Sequence, residues 1–233
     1  AVDPDLICLD EADMTLTVSG AGFLDVEGPL PTVLIDGAEI AADAVSDCTP
    51  VAGTLLDAHA CATLTVTIPQ GTLAAGEYEL NVRNPEPAAC VSEQGVSFAV
   101  VESPELLSIE PELVCNAQGD DPLTLTGEGF LDVDGVLPTV TVAGQTFPAT
   151  SVDGCEDVPG TATPTRRCTS LTLTIPEGSL ADGAHEVTVT NPPPAACSSP
   201  AGPMLYVTPP PEGTASPTSP TAKAMTCSNT WTN

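Results

Sequence analysis

Apolar and polar positions alternate with a period of two along most of this chain. In its second half the alternation runs through LLSIEP (106–111), PLTLTG (122–127), PTVTVAG (138–144), SLTLTIP (170–176), AHEVTVT (184–190) and PMLYVT (203–208), with FPATSV (147–152) in a variable stretch. Gly, Pro, Asn or Asp separates these runs. Period-two patterning bounded by turn formers predicts strands with one face buried. About seven short strands in roughly 100 residues, with no helical period, predict an all-β sandwich.

The first half carries the same pattern, and the match extends to the residues themselves. GFLDVEGPLPTV (22–33) is answered by GFLDVDGVLPTV (129–140), and LTVTIPQGTLAAGEYELNVRNPEPAAC (64–90) by LTLTIPEGSLADGAHEVTVTNPPPAAC (171–197). Cysteines at 8, 48, 61 and 90 recur 107 residues later at 115, 155, 168 and 197, and no gap is needed between them. A constant offset over that length is the mark of a duplicated domain. The chain is therefore expected to hold two tandem domains, 1–101 and 106–208. A short linker (102–105) joins them, and a Pro/Ser/Thr-rich tail (209–233) follows.

Composition narrows the picture. Only 3% of residues are aromatic, so the cores must be built from Val, Leu, Ile and Ala with a little Phe. The single Trp, Trp231, lies in the tail, so the core tryptophan of antibody-type domains is missing. Thirty-two acids against four bases give a net charge of −28, which repels nucleic acid and anionic lipid. No run of 18 apolar residues is present, so no direct membrane insertion by a helix is expected. The chain begins at Ala1 and holds nine cysteines. That many thiols favours an oxidising compartment, so the expectation is a processed, secreted or cell-surface protein.

The ordered series SIEP, LTLTGEGF, PTVTVAG, LTLTIP, HEVTVTNP and LYV resembles the bacterial IPT/TIG family of early-set immunoglobulin-like domains. The G-x-G-F after the second strand and the N-P turns at Asn84-Pro85 and Asn191-Pro192 carry the resemblance best. It covers residues 2–208 and implies two immunoglobulin-like sandwiches of a secreted bacterial surface protein. Four cysteines per domain depart from the plain family pattern. They resemble secreted bacterial variants, and the family's ligand roles stay unassigned.

Four cysteines per domain allow three pairings. The pairing expected here is Cys8–Cys90, Cys48–Cys61, Cys115–Cys197 and Cys155–Cys168. Cys48 and Cys61 bracket one irregular loop, and the edges bearing Cys8 and Cys90 are expected to run side by side. Zinc prefers C-x₂-C spacing, which is absent. Cys227 is left over, which points to an intermolecular bridge or a free thiol. The tail around it cannot build a core, and is expected to be extended, with a neighbouring copy as one way to hold it.

Candidate chemistry is sparse. There is no G-x-S-x-G, H-E-x-x-H or P-loop. His59 falls in the cysteine-bracketed loop. His185 occupies the place of Tyr78, a position resembling a tyrosine corner that ties down a loop. Arg166-Arg167, read as loop residues, offer a cationic spot for an acidic patch on another copy. Asp25, Glu27, Asp132 and Asp134 are the candidates for calcium, but D-V-[DE]-G supplies few of the six to eight oxygens the ion needs. Alternation predicts Val26 and Val133 inward and these acids solvated. No other cofactor is expected. The reading is a non-enzymatic extracellular structural or adhesive protein, a rigid spacer or subunit of a surface assembly or filament, whose partners are other copies of itself or that assembly. The alternative is a glycan- or protein-binding accessory module.

Overall fold

The computed structural model describes residues 1–9, 13–117 and 119–211. Cys227 and the tail from 212 onward, with the contact to a neighbouring copy expected of them, lie outside the described residues. Among the described residues all regular structure is β, and the protein consists of two tandem, disulfide-stabilised immunoglobulin-like sandwiches. The first repeat contributes β1 (Val2–Asp3), β2 (Leu6–Cys8), β3 (Met14–Val26), β4 (Thr32–Ile35), β5 (Ala38–Ala41), β6 (Ala44–Ser46), β7 (Thr49–Pro50), β8 (Ala58–Ile68), β9 (Gly76–Arg83) and β10 (Val96–Val101). The second contributes β11 (Glu105–Glu110), β12 (Leu113–Cys115), β13 (Asp121–Val133), β14 (Thr139–Val142), β15 (Gln145–Pro148), β16 (Ser151–Asp153), β17 (Glu156–Asp157), β18 (Thr165–Ile175), β19 (Gly183–Thr190) and β20 (Met204–Thr208).

Each repeat folds into two five-stranded sheets. In the first, one sheet orders β1-β3-β8-β6 with β7 also on β8, and the other β2-β10-β9-β4-β5. The second repeat copies this as β11-β13-β18-β16, with β17 on β18, and β12-β20-β19-β14-β15. The chain start is shared between sheets: β1 runs antiparallel to β3, then β2 crosses to lie parallel to β10.

Compactness divides the chain differently from the repeat. Unit 1 comprises Ala1–Ser103 with Asp157–Thr165 and Pro193–Cys197; unit 2 comprises Pro104–Glu156, Arg166–Pro192 and the described residues from Ser198 on. The core of unit 1 follows from alternation. Met14, Leu16 and Val18 of β3 stand opposite Ile68, Val66 and Leu64 of β8, and all six are buried. Phe98, Leu80 and Val33 close the cluster from the other sheet. Unit 2 buries Leu123, Leu125, Phe130, Leu171, Leu173 and Leu205 in the same way. Each such side chain contributes about 1.5–3 kcal/mol as an upper estimate.

One amide clamps the two sheets of each sandwich. Asn84 Oδ1 accepts the Leu24 N–H at 2.9 Å, while its Nδ2 donates to the Gly22 carbonyl at 2.9 Å. Asn191 does the same with Leu131 N–H at 2.9 Å and Gly129 O at 2.8 Å. The clamp sits where β3 bulges between Ser19 and Phe23, and the bulge needs Gly22 at φ +78°; Gly129 takes the same left-handed backbone in β13, φ +74°. The G-x-G-F and N-P motifs are thus two halves of one device.

Disulfides join Cys48 to Cys61 and Cys155 to Cys168, each with Cα atoms 3.9 Å apart. Each ties the chain between β6 and β7, or β16 and β17, to the long strand beside it. A loop of this length is worth about 2–4 kcal/mol in the chain-entropy view. The expected Cys8–Cys90 bridge is not formed. Cys8 is level with Val101, at the Gly76 end of β9, while the Cys90 carbonyl accepts the Asn84 N–H beyond the other end. Eight strand residues put roughly 25 Å between them, against a limit of about 7 Å for a disulfide. Cys90 is an exposed free thiol. The expected Cys115–Cys197 bridge fails for the same reason. Cys115 pairs with Thr208 at the Gly183 end of β19, and Cys197 adjoins Ser198, which bridges Thr190 at the far end. Cys115 is disulfide-bonded, but Cys197 is out of its reach.

Candidate functional site

The acidic turns are the most conspicuous candidate in the sequence, and they are built as turns. Asp25 Oδ1 accepts the Gly28 N–H at 3.2 Å, and Asp132 Oδ1 the Gly135 N–H at 2.8 Å. Glu27 and Asp134 take left-handed backbone, φ +56° and +50°, as the tight reversal requires. Side-chain capture of an N–H three residues on is what short acids do in turns.

The two turns differ in burial. Val26 and Val133 are buried as alternation predicts, but Asp132 is only 5% exposed, so the expectation of solvated acids fails there. Leu131, Asp132 and Val133 are buried in succession, and a one-solvated-face rule cannot hold along such a stretch. Arg166 makes the burial tolerable by donating Nη2 to Asp132 Oδ2. A buried carboxylate needs such a partner. Arg166 and Arg167 lie within β18, not in a loop, and Arg166 is committed to Asp132. In the first repeat His59 stands where Arg166 does, opposite Asp25 in the β3–β8 register, with its Nδ1 3.8 Å from Asp57. Among the described residues no group of three or more His, Cys, Asp or Glu side chains is arranged to hold a metal ion.

Tyr78 and His185 serve loops. Tyr78 Oη donates to the Ala74 carbonyl at 3.0 Å and receives the Ala74 N–H at 3.1 Å; its ring stacks on Phe98. His185 Nε2 lies 2.7 Å from the Ala181 carbonyl. Both tie a chain segment four residues back to the start of a strand.

Other surface features offer little chemistry. A recess of about 120 Å³ is lined by Gly22, Phe23, Val82, Asn84, Cys90 and Ser92. The Arg83 guanidinium grips Glu39 with two bonds of 3.0 and 2.6 Å and holds that carboxyl below the usual range. Among the described residues no helix is long and apolar enough to cross a membrane.

What sequence reading missed is exposed apolar surface. Val51, Leu55 and Leu56 are exposed between β7 and β8, and Leu113, Met204 and Tyr206 along β12 and β20. Period-two patterning assigns faces of strands, but it does not reveal which sheet edges are covered.

No family model matches the chain, and no curated protein matches it. Among solved structures it is similar to three. One is SGBP-B of the Bacteroides ovatus mixed-linkage glucan utilization locus, in complex with a mixed-linkage heptasaccharide (16% identity, TM-score 0.31, 89% of this chain and 44% of that one). Another is Dpr2 Ig1-Ig2 in complex with DIP-Theta Ig1-Ig3 (16%, 0.25, 90% and 64%). The third is the teleost fish polymeric Ig receptor ectodomain (13%, 0.26, 91% and 98%). The chain spans less than two thirds of the first two of those chains.

Proposed function

We propose that this is a non-enzymatic, secreted structural or adhesive protein of a bacterial surface, built from two IPT/TIG-type domains (1–101 and 106–208) in tandem. The observation that carries the reading is the repetition of the same rigidifying devices at one offset. The disulfide beside β8 recurs beside β18, and the Asn84 clamp recurs as Asn191. Each fixes backbone geometry inside its own sandwich, which is what a spacer or an assembly subunit requires. The high negative charge keeps such a chain soluble outside the cell and favours a protein partner over nucleic acid.

Electron microscopy of native material tests the reading: regular fibres or a surface array are the expected result. Discrete particles that bind on a glycan array would replace it with the second reading, an accessory binding module. One observation favours that alternative, the half-exposed ring of Tyr206, since sugars stack on such rings.

A further inference from the structure

Two sheet edges in this protein are built alike and finished differently. On the β2/β10 edge of unit 1, Leu6 stands beside Ala99, and each is 1% exposed. On the β12/β20 edge of unit 2, the same register sets Leu113 beside Tyr206, and these are 57% and 48% exposed. Met204 is exposed two residues from Tyr206, on the same face. Among the described residues nothing covers the unit 2 edge, an apolar strip.

The difference lies in what covers the unit 1 edge. Asp157–Thr165 belongs to that compact unit. The Asp5 carboxylate accepts the N–H of Ala162 at 2.6 Å and of Thr163 at 3.0 Å. A Cβ on Gly160 would stand 3.1 Å from the Phe98 carbonyl, so the covering segment lies tight against β10.

That segment has a twin 107 residues earlier, at 50–58. Both carry V-x-G-T, as Val51–Thr54 and Val158–Thr161. Both close with the same bond, Val51 N–H to Ala58 O and Val158 N–H to Thr165 O, each 2.9 Å. Their glycines share one left-handed conformation, φ +84° at Gly53 and +86° at Gly160. Where the covering segment has Ala162 and Thr163, the twin has exposed Leu55 and Leu56. Where unit 1 has Asp5, unit 2 has exposed Glu112. An apolar loop and an apolar edge, each with the acceptor or donors its counterpart uses, are both present and, among the described residues, uncovered.

We propose that the 50–58 loop of one copy docks on the β12/β20 edge of a second copy. The Glu112 carboxylate takes the backbone N–H of Leu55 and Leu56, whose side chains cover Leu113 and Tyr206. The Leu56 N–H now rests on Thr54 Oγ1 at 3.0 Å and exchanges that bond for a charge-assisted one. Donor and acceptor patches are different surfaces, so the contact is heterologous and propagates unless it closes a ring. It is small, of the weak class of interface. Since both copies carry −28, it strengthens as salt screens their repulsion. This inference rests on reading the chain as an assembly subunit.

Sedimentation of the 233-residue chain over a range of concentrations, at low and high salt, tests it. The wild type is expected to associate progressively, more so at high salt. Leu55→Ser with Leu56→Ser, and separately Leu113→Ser with Tyr206→Ser, should each leave monomers of unchanged melting temperature, because all four side chains are exposed. A mixture of the two variants retains one good loop and one good edge, so it should stop at a dimer. Association that survives both variants would overturn the docking while leaving the assembly reading intact, and would point to another surface, residues 212–233 included. A wild type that stays monomeric throughout overturns both.

Discussion

Asp121 opens β13 from a buried position, where the first repeat has Met14, also buried. Burial first, and the adjacent Asp120 charge second, push the Asp121 carboxyl above its ordinary range. A raised folded pKa means the native chain holds this proton more tightly than the unfolded chain. Stability is then greater at acid pH and declines as pH rises from the unfolded value through the raised folded one. Asp121→Met should therefore raise the melting temperature at pH 7, and the gain should shrink below about pH 4, where the unfolded carboxyl is itself protonated. A gain that does not change with pH would show that the charge plays no part. The acidic turns call for a second measurement. Asp132 already serves Gly135 and Arg166, and Asp25 serves Gly28. Millimolar calcium, compared with magnesium at equal ionic strength and with EGTA, should give no calcium-specific rise in melting temperature.

Among the elements, the clamp between sheets shows most clearly what was legible. The motifs G-x-G-F and N-P stand out in the sequence as separate signals about 60 residues apart. Only the fold shows that Asn84 and Asn191 reach back to Gly22 and Gly129. Asn191→Ala leaves one donor and one acceptor of β13 without partners in a buried place, and should cost about 2–4 kcal/mol in denaturant unfolding. Asn84 is less buried, so water can take over part of its role and Asn84→Ala should cost less. Equal effects would mean that burial does not set the cost. Strand existence was likewise readable from alternation, because one face of nearly every strand is solvated. The reading fails at the end of β13, where Leu131, Asp132 and Val133 are buried together and an arginine from β18 supplies the missing charge.

At the scale of the molecule, charge dominates. A chain at −28 with only four bases, of which Arg83 and Arg166 are bound to acids among the described residues, repels itself in every compact state. The Debye length falls from about 30 Å at 0.01 M salt to about 8 Å at 0.15 M. The melting temperature should accordingly rise with sodium chloride over that range, by scanning calorimetry. A flat response would mean that the unfolded chain repels itself as strongly as the folded one. The same screening governs the docking proposed above, so stability and association should rise together with salt.

By itself the sequence determined the duplication, its 107-residue offset and the all-β class, because these depend only on local pattern and on self-similarity. It also determined the turns, since glycines at positions such as 37 and 144 permit backbone that few other residues adopt. Tertiary structure alone decided which cysteines come within reach of one another. A disulfide depends on distances of a few ångströms across sheets, and the register of β9 against β10 sets Cys8 and Cys90 at opposite ends. It decided that Asp132 is buried while Asp25 is not. It also decided that Leu6 is covered and Leu113 is left in water, though the repeat gives the two the same residue and the same strand. Burial is a property of what lies across a surface, and no pattern along a single strand records it.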